Sequence, residues 1–456
     1  MSKKNLFPLV KLINVIMVLL PFIGCWFLYY EPRTRTVHSR QVSVLAMIVF
    51  CIIYYFFCHM MDGFRTSILP IREIVMSQIL VVMITDAIIY IIIWMLSVHI
   101  PNILPGVCAL AIQILMTVIW AVAANRIYFK GHKPQKTAII YDVRQGMENV
   151  IHAYGMEYRF HVEHTWAIEE VLEHPDLMKE VETVFLCGIH SHDRNIILKY
   201  CTNNNIKMYI IPRVGDVMMS GAERMHMFHL PILKSQRYSP SAEYKIIKRT
   251  FDIVASGLAL IIFSPVMLVT AIAIKRDGGP AIYRQKRLTK DGKVFEILKF
   301  RSMCVDAEKY SGAVLSAGES DPRITKVGRI IRACRIDELP QLINILKGDM
   351  SVVGPRPERP EIAAEYEKEL PEFRLRLQAK AGLTGYAQVH GKYNTTPYDK
   401  LLLDLMYISK ANILEDMIII LATLKILTSK ESTEGVGENA AEMKYEEREK
   451  REQEAV

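Results

Sequence analysis

Four apolar stretches open the chain, at roughly 12–30, 42–61, 73–98 and 103–124. Each approaches the ~20 residues an α-helix needs to cross a hydrocarbon core, where backbone polar groups must be satisfied within the segment. They predict a four-helix transmembrane bundle over residues 1–130. The first stretch is too long for a removable signal and lacks a small-residue cleavage site, so it reads as an anchor. Lys3, Lys4 and Lys11 put the N-terminus inside, and Arg65, Arg72, Arg126, Lys130, Lys133 and Lys136 agree. The first loop, "EPRTRTVHSR", disagrees, because its three arginines would face outward. Asp86 falls mid-span in "MITDAIIYIII". An intramembrane carboxylate is costly enough to be either functional or hydrogen-bonded to a neighbouring helix.

With 456 residues the chain should hold two or three folded units. Hydrophobic residues make up 51% and charged residues 23%, a mixture that fits membrane segments joined to soluble parts. The net charge of +8 suits anionic headgroups as well as nucleic acid. No aromatic–basic RNA motif or paired Cys/His finger is present, so the lipid bilayer is the expected partner and nucleic acid is not. The cysteines at 25, 51, 58, 108, 187, 201, 304 and 334 form no C-x-x-C pair. Reduced thiols facing the cytosol are expected, rather than disulfides or a zinc site.

Residues 136–235 alternate short β-rich runs ("KTAIIYDV", "MEYRFHVEH", "ETVFLCGI", "KMYIIPR") with helical ones such as "AIEEVLEH" and "DRNIILKYCTNN". That alternation predicts a parallel α/β sheet. The turn after the first strand, "YDVRQGMEN", carries Gly146 alone, where a dinucleotide-binding domain needs G-x-G-x-x-G to admit a pyrophosphate. The segment therefore reads as a degenerate Rossmann-like α/β domain, suited to regulation, subunit pairing or spacing. His190 and His192 in "GIHSHDR" read as a solvated loop rather than a ligand pair.

A fifth apolar stretch, 251–276, is flanked by Lys248 and Arg249 before it and Lys275 and Arg276 at its end. If it crossed the membrane, everything beyond it would lie outside the cell. Ser264-Pro265 sits near its middle. Proline removes one helical hydrogen bond and bends the helix, and a serine hydroxyl can satisfy a freed backbone group. A helix bent there can enter the bilayer and return to the same face, with both basic ends on anionic headgroups. A straight fifth span is the alternative.

Basic residues then gather: Lys245, Arg284, Lys286, Arg287, Lys299 and Arg301, followed by Arg332, Arg335, Arg356 and Arg359. Among them lie two adjacent carboxylates, Asp337 and Glu338. Arginine binds phosphate oxygens in a bidentate fork. The acidic pair is either salt-bridged within the basic cluster or part of a Mg²⁺–diphosphate site, since magnesium prefers one or two carboxylates plus substrate phosphates. One carboxylate can then hold the ion while its neighbour attacks phosphorus. "GPRP" (354–357) is a stiff turn that presents Arg356 with little entropy to lose. A basic face resting on lipid remains the other reading of these charges.

Between 244 and 428 the chain reads "KRTFDIVASGLALIIFSPVMLVTAIAIK", "GGPAIYRQKR", "GKVFEILKFRSM", "DPRITKVGRIIR", "RIDELPQLINILKGDMSVVGPRP" and "AGLTGYAQVHGKY", in that order. This series resembles the bacterial sugar transferase family, the monotopic polyprenyl-phosphate phosphoglycosyl transferases. With the preceding spans and glycine-poor domain, the chain is similar to the large members that start exopolysaccharide, capsule or O-antigen repeat units. The resemblance implies that Asp337 attacks the β-phosphorus of a UDP-sugar, releasing UMP and leaving a phosphosugar–aspartyl intermediate. Undecaprenyl phosphate then takes the phosphosugar. It also implies that Glu338 holds Mg²⁺ and that Arg356 binds substrate phosphate. Lys248, Arg249, Arg287, Lys299 and Arg301 match family positions expected to handle phosphate. Gln285 and Asp404 match others without an assigned role. The family's membrane element, a re-entrant helix broken at a Ser-Pro pair, maps to Ser264-Pro265 and belongs to an α/β catalytic domain over 244–428. An inner-membrane homodimer with its catalytic domain on the cytoplasmic face is implied. Where the family often reads "QVNGR" this chain has "QVHGK" (388–392), which leaves the hexose open. The charged tail, 430–456, is expected to be disordered or a solvated helix. The rival reading is a membrane-anchored nucleotide-sensing regulator or scaffold of polysaccharide synthesis.

Overall fold

In this computed structural model the described residues are 6–33, 39–67, 69–97, 99–131, 133–276, 278–304, 323–391, 395–427 and 444–445. They fold as two compact units, Met1–Lys133 and Pro134–Val456.

The first unit contains helices α1 (Leu6–Cys25), α2 (Ser39–Met60), α3 (Ile71–Leu96) and α4 (Leu104–Gly131). All four match stretches long and apolar enough to cross a membrane. Helix α1 carries Pro21 and runs on into a π-helical turn, Trp26–Tyr30. Polar side chains pair across the helices. Tyr54 Oη donates to Asn14 Oδ1 at 2.6 Å, Asn14 Nδ2 to Gln78 Oε1 at 3.3 Å, and Gln78 Nε2 to Gly63 O at 2.9 Å. Among apolar neighbours, groups left unpaired would be costly. Asp86 follows the same logic: Gln113 Nε2 on α4 lies 3.5 Å from its Oδ1 and donates to Val18 O at 3.1 Å.

The second unit begins with β1 (Gln135–Tyr141), β2 (Arg144–Gln145), α5 (Met147–Ala153), β3 (Phe160–Ala167), α6 (Ile168–Glu173), β4 (Thr183–Cys187), α7 (Ser191–Asn203), β5 (Lys207–Ile211) and α8 (Val214–Ser220). Strands β3-β1-β4-β5 form one parallel sheet in that order. Ala138, Ile140, Val184 and Leu186 pack into one cluster, and Ile139, Phe185 and Cys187 into another. Burial on both sides explains why these strands read as near-continuous apolar runs. Gly146 adopts φ 96° ahead of α5. His190 is less isolated than its loop setting suggests: its Nδ1 lies 2.7 Å from Arg213 Nη1 and its Nε2 3.7 Å from Asp142 Oδ2.

A hairpin of β6 (Glu223–Met227) and β7 (Leu230–Lys234) leads to α9 (Ala242–Lys275). A second antiparallel hairpin follows, β8 (Ile282–Leu288) with β9 (Val294–Phe300). Then come α10 (Lys326–Ala333), α11 (Gln341–Lys347), β10 (Ser351–Val353), α12 (Pro360–Glu369) and β11 (Gly382–Thr384), the last parallel to β10. Helices α13 (Tyr386–His390), α14 (Pro397–Lys410) and α15 (Ile413–Leu427) close the body. The two described residues of the tail form β12 (Lys444–Tyr445), antiparallel to β2. The remainder of 430–456 lies outside the described residues.

Helix α9 is not interrupted at Ser264-Pro265; it continues as one helix of 34 residues. Proline leaves Ile261 O without its usual N–H donor. Ser264 Oγ donates to that same oxygen at 2.8 Å, which lets the helix run on. Its flanks expose Phe251, Leu258, Ile261, Ile262, Leu268 and Val269.

Candidate active site

Asp337 and Glu338 share one 3₁₀ turn, Ile336–Glu338, between α10 and α11. Arg335 opens it in the left-handed region, at φ 53° and ψ 22°. For a bulky L-residue that conformation costs about 1–3 kcal/mol and persists only where the surroundings enforce it. Here it turns the chain sharply after α10, so that both carboxylates enter a partly buried basic pocket.

Two cations meet at Glu338. Its Oε1 accepts from Lys299 Nζ at 2.9 Å and from Arg356 Nη2 at 3.2 Å. Lys299 comes from β9 and Arg356 from the 354–357 turn, so three chain segments converge on one oxygen. Burial alone would raise the Glu338 pKa, but Lys299 and Arg356 together hold it well below the usual carboxylate range. Asp337 moves the opposite way. Burial, then the neighbouring Glu338 charge, push it up to about 6 against Lys299, Arg332 and Arg356. Adjacent carboxylates driven apart in this way are suited to separate roles, one permanently charged and one poised near neutrality. Arg356 is strengthened as a cation, chiefly by Glu338.

The turn presenting Arg356 is fastened carbonyl by carbonyl. Pro355 O accepts from Gly382 N at 2.9 Å, Arg356 O from Arg376 Nη2 at 2.8 Å, Pro357 O from Arg287 Nη1 at 3.2 Å, and Glu358 O from Leu288 N at 2.9 Å. Strands β10 and β11 approach so closely that a Cβ on Gly354 would collide with Lys380 O, and one on Gly382 with Gly354 N. Close approach, not a left-handed backbone, requires glycine at both. Gln285 and Arg287 stand two apart on β8, hence on one face, and Arg287 Nη2 donates to Gln285 Oε1 at 2.7 Å. Burial lowers the Arg287 pKa to about 10, with Glu358 opposing. Among the described residues its buried Nε has no partner.

Three basic residues expected to handle phosphate are placed differently. Lys248 Nζ sits 2.7 Å from Asp416 Oδ2 and 3.2 Å from Tyr407 Oη. Arg249 donates to Ile345 O and Leu346 O, both at 2.7 Å, closing the end of α11. Arg301 donates to Ile274 O at 3.1 Å and to Gly278 O, closing the end of α9. Each charge is engaged with protein groups. The structure thus brings together Asp337, Glu338, Lys299 and Arg356, joins Gln285 and Arg287 to the turn, and ties Asp404 in through Arg376.

Arg376, Glu358 and Asp252 were not apparent as site residues in the sequence. Arg376 contacts Asp404 Oδ2 through Nε at 2.8 Å and Nη2 at 2.6 Å, and its Nη1 lies 3.6 Å from Glu358 Oε1. Lys400 Nζ reaches the same Glu358 oxygen at 3.3 Å. Asp252 Oδ1, on α9, accepts from Ser351 Oγ at 3.1 Å and Val352 N at 2.9 Å. A carboxylate inside the apolar run "FDIVASG" was the available signal for that last one. Nothing local marks Arg376.

Among the described residues no group of three or more His, Cys, Asp or Glu could cage a metal. The donor set of Asp337 and Glu338 nevertheless fits magnesium, which takes one or two protein carboxylates and completes its shell with phosphate and water.

Residues 243–430 match the model of the bacterial sugar transferase family. A UDP-glucose:undecaprenyl-phosphate glucose-1-phosphate transferase from Caulobacter vibrioides is 41% identical over 194 residues, covering 41% of this chain and 72% of that protein. The chain belongs to the bacterial sugar transferase family. Two longer members extend the comparison. An undecaprenyl-phosphate galactose phosphotransferase from Salmonella typhimurium is 38% identical over 234 residues, 48% of each chain. A UDP-N-acetylgalactosamine-undecaprenyl-phosphate N-acetylgalactosaminephosphotransferase from Aeromonas hydrophila is 33% identical over 279 residues, 59% of this chain and 65% of that one. The chain spans roughly half to two thirds of the length of these two sugar transferases.

Proposed function

We propose that this protein transfers a sugar-1-phosphate from a UDP-sugar to undecaprenyl phosphate, releasing UMP and starting a polysaccharide repeat unit. The observation that carries the reading is the convergence of Lys299 and Arg356 on Glu338 directly beside Asp337, a geometry that pushes the two carboxylates' pKa values apart. A carboxylate with a pKa near 6 is mostly ionised at neutral pH, yet more basic than an ordinary aspartate and so a better nucleophile. Asp337 attacks the β-phosphorus, the bond from that phosphorus to the bridging oxygen breaks, and UMP departs with the oxygen. An oxygen of the lipid phosphate then attacks the same phosphorus and Asp337 is released. Arg356 binds phosphate oxygens through the part of its fork not directed at Glu338, and Arg287 supports the turn that carries it. Glu338 would hold a Mg²⁺ ion, which when bound offsets charge on the diphosphate, and Asp337 is left to attack.

The names of the three relatives support undecaprenyl phosphate as acceptor, and their differing hexoses leave the sugar of this chain unassigned. The apolar helices of the first unit serve, in this reading, to anchor the protein in the inner membrane. In this reading helix α9, unbroken but bent at Pro265, enters the bilayer from the cytoplasmic side and returns, keeping residues 244–428 where a cytosolic nucleotide sugar meets a membrane-bound acceptor. The proline at its centre and the basic residues at both ends support that path.

The test is to incubate purified protein with a panel of UDP-hexoses, Mg²⁺ and undecaprenyl phosphate and to measure UMP. Release with at least one donor, lost in Asp337→Asn, is expected. No release with any donor, or full release by Asp337→Asn, would overturn the proposal, and the former is what an inert scaffold would give.

A further inference from the structure

We infer that Asp404 and Arg376 are positioning residues for Arg356, acting on its main chain so that its guanidinium meets Glu338. The inference rests on the transferase reading for its readout. Arg376 and Asp404 side chains are 3% and 1% exposed, so neither is offered to a substrate. Arg356, by contrast, is 42% exposed on its side chain. Of the four fastened carbonyls in and after the turn, two are held by backbone amides and one by the arginine of β8. The carbonyl of Arg356 itself is held by Arg376.

The chemistry suits that task. A guanidinium is a rigid planar fork, so a hydrogen bond from Nε and an ion-pair contact from Nη2, both to Asp404 Oδ2, orient it while the same Nη2 donates to Arg356 O. Nη1 faces Glu358, two residues beyond Arg356, so the fork spans the turn. An ammonium would supply charge without that plane. A buried ion pair seldom outperforms well-packed apolar side chains in stability alone. What it adds here is orientation. The helix that carries Asp404 is itself anchored: Asp399, in the first turn of α14, is 2.6 Å from Arg144 Nη2 of β2 and accepts from Thr396 Oγ1 at 2.9 Å. Asp404 therefore acts from a fixed support.

The experiment is a double-substitution cycle on UMP release, read in single turnover with protein in excess so that slow variants remain measurable. Asp404→Asn preserves volume and an acceptor. Arg376→Lys preserves charge but loses the fork. Each should lower the single-turnover rate by on the order of 10–100-fold, the scale of a misplacement near 1 Å, with donor affinity changed much less. In an Arg356→Lys background the further loss from Asp404→Asn should shrink to about 3-fold or less, because coupled residues are not additive. Equal fold-losses in both backgrounds would overturn the inference, as would a melting temperature that collapses with activity in both Asp404→Asn and Arg376→Lys. Wild-type protein inactive on every UDP-hexose would instead remove the transferase reading itself.

Discussion

Lys299 Nζ lies 2.9 Å from Glu338 Oε1, across 39 positions of sequence, and Arg356 shares that oxygen at 3.2 Å. The two cations are what keep Glu338 ionised despite its burial. Lys299→Met should therefore raise the Glu338 pKa and cost about 1–3 kcal/mol of stability at pH 7, from a buried charge deprived of one partner. Chemical denaturation of wild type and variant checks this. An unchanged midpoint would show that Arg356 suffices.

Asp337 reports on pH with the opposite sign. Its folded pKa is raised from the ordinary 3.8 to about 6, so the folded state holds the proton more tightly than the unfolded chain. That contribution to stability is complete below about pH 4 and is lost as pH rises through 6. Asp337→Asn should thus be more stable than wild type at pH 8, by about 2–3 kcal/mol from a shift near two units, and the gap should close toward pH 4. Thermal unfolding over that range measures it.

The same ionisation should govern the reaction. UMP release is expected to fall at acid pH with an apparent pKa near 6, because only the ionised Asp337 attacks. A rate profile flat from pH 5 to 8 would argue that another group is the nucleophile.

Chelation of divalent ions should abolish UMP release, and added Mg²⁺ should restore it. In the absence of nucleotide sugar the melting temperature should barely respond, since a site with so few protein carboxylates holds the ion mainly through substrate phosphate. A large stabilisation by Mg²⁺ alone would point to a fuller protein cage.

For α9, Glu243→Cys and Arg276→Cys should both be labelled by a membrane-impermeant thiol reagent from the cytoplasmic side only. Labelling from opposite sides would make the helix a straight span. Ser264→Ala removes the donor to Ile261 O and should cost about 1 kcal/mol, the net worth of one hydrogen bond.

Much of this architecture was legible because it rests on short-range pattern. Apolar runs located α1 to α4 within a few residues, and β-rich runs bracketed by turns located β1, β3, β4 and β5. The acidic pair, Lys299 and Arg356 also stood out, since adjacent carboxylates among basic residues are electrostatically conspicuous. What stayed hidden depends on distant pairing. Lys248, Arg249 and Arg301 stood out as charges, but the sequence does not show the partners the structure gives them: Asp416, the end of α11, and the end of α9. Arg376 was invisible for the converse reason, since its acceptors lie on α14 and in the turn. The continuity of α9 turned on one hydroxyl bond, which proline chemistry suggested without deciding whether the helix would stop.

Asp252 ties the apolar helix to the strand immediately ahead of the arginine turn through two bonds to one oxygen. If α9 lies in the bilayer along the proposed path, Asp252 is the point at which a change in its depth would be passed to the strand that leads into Arg356. Lipid draught and catalytic elevation would then be coupled through one aspartate.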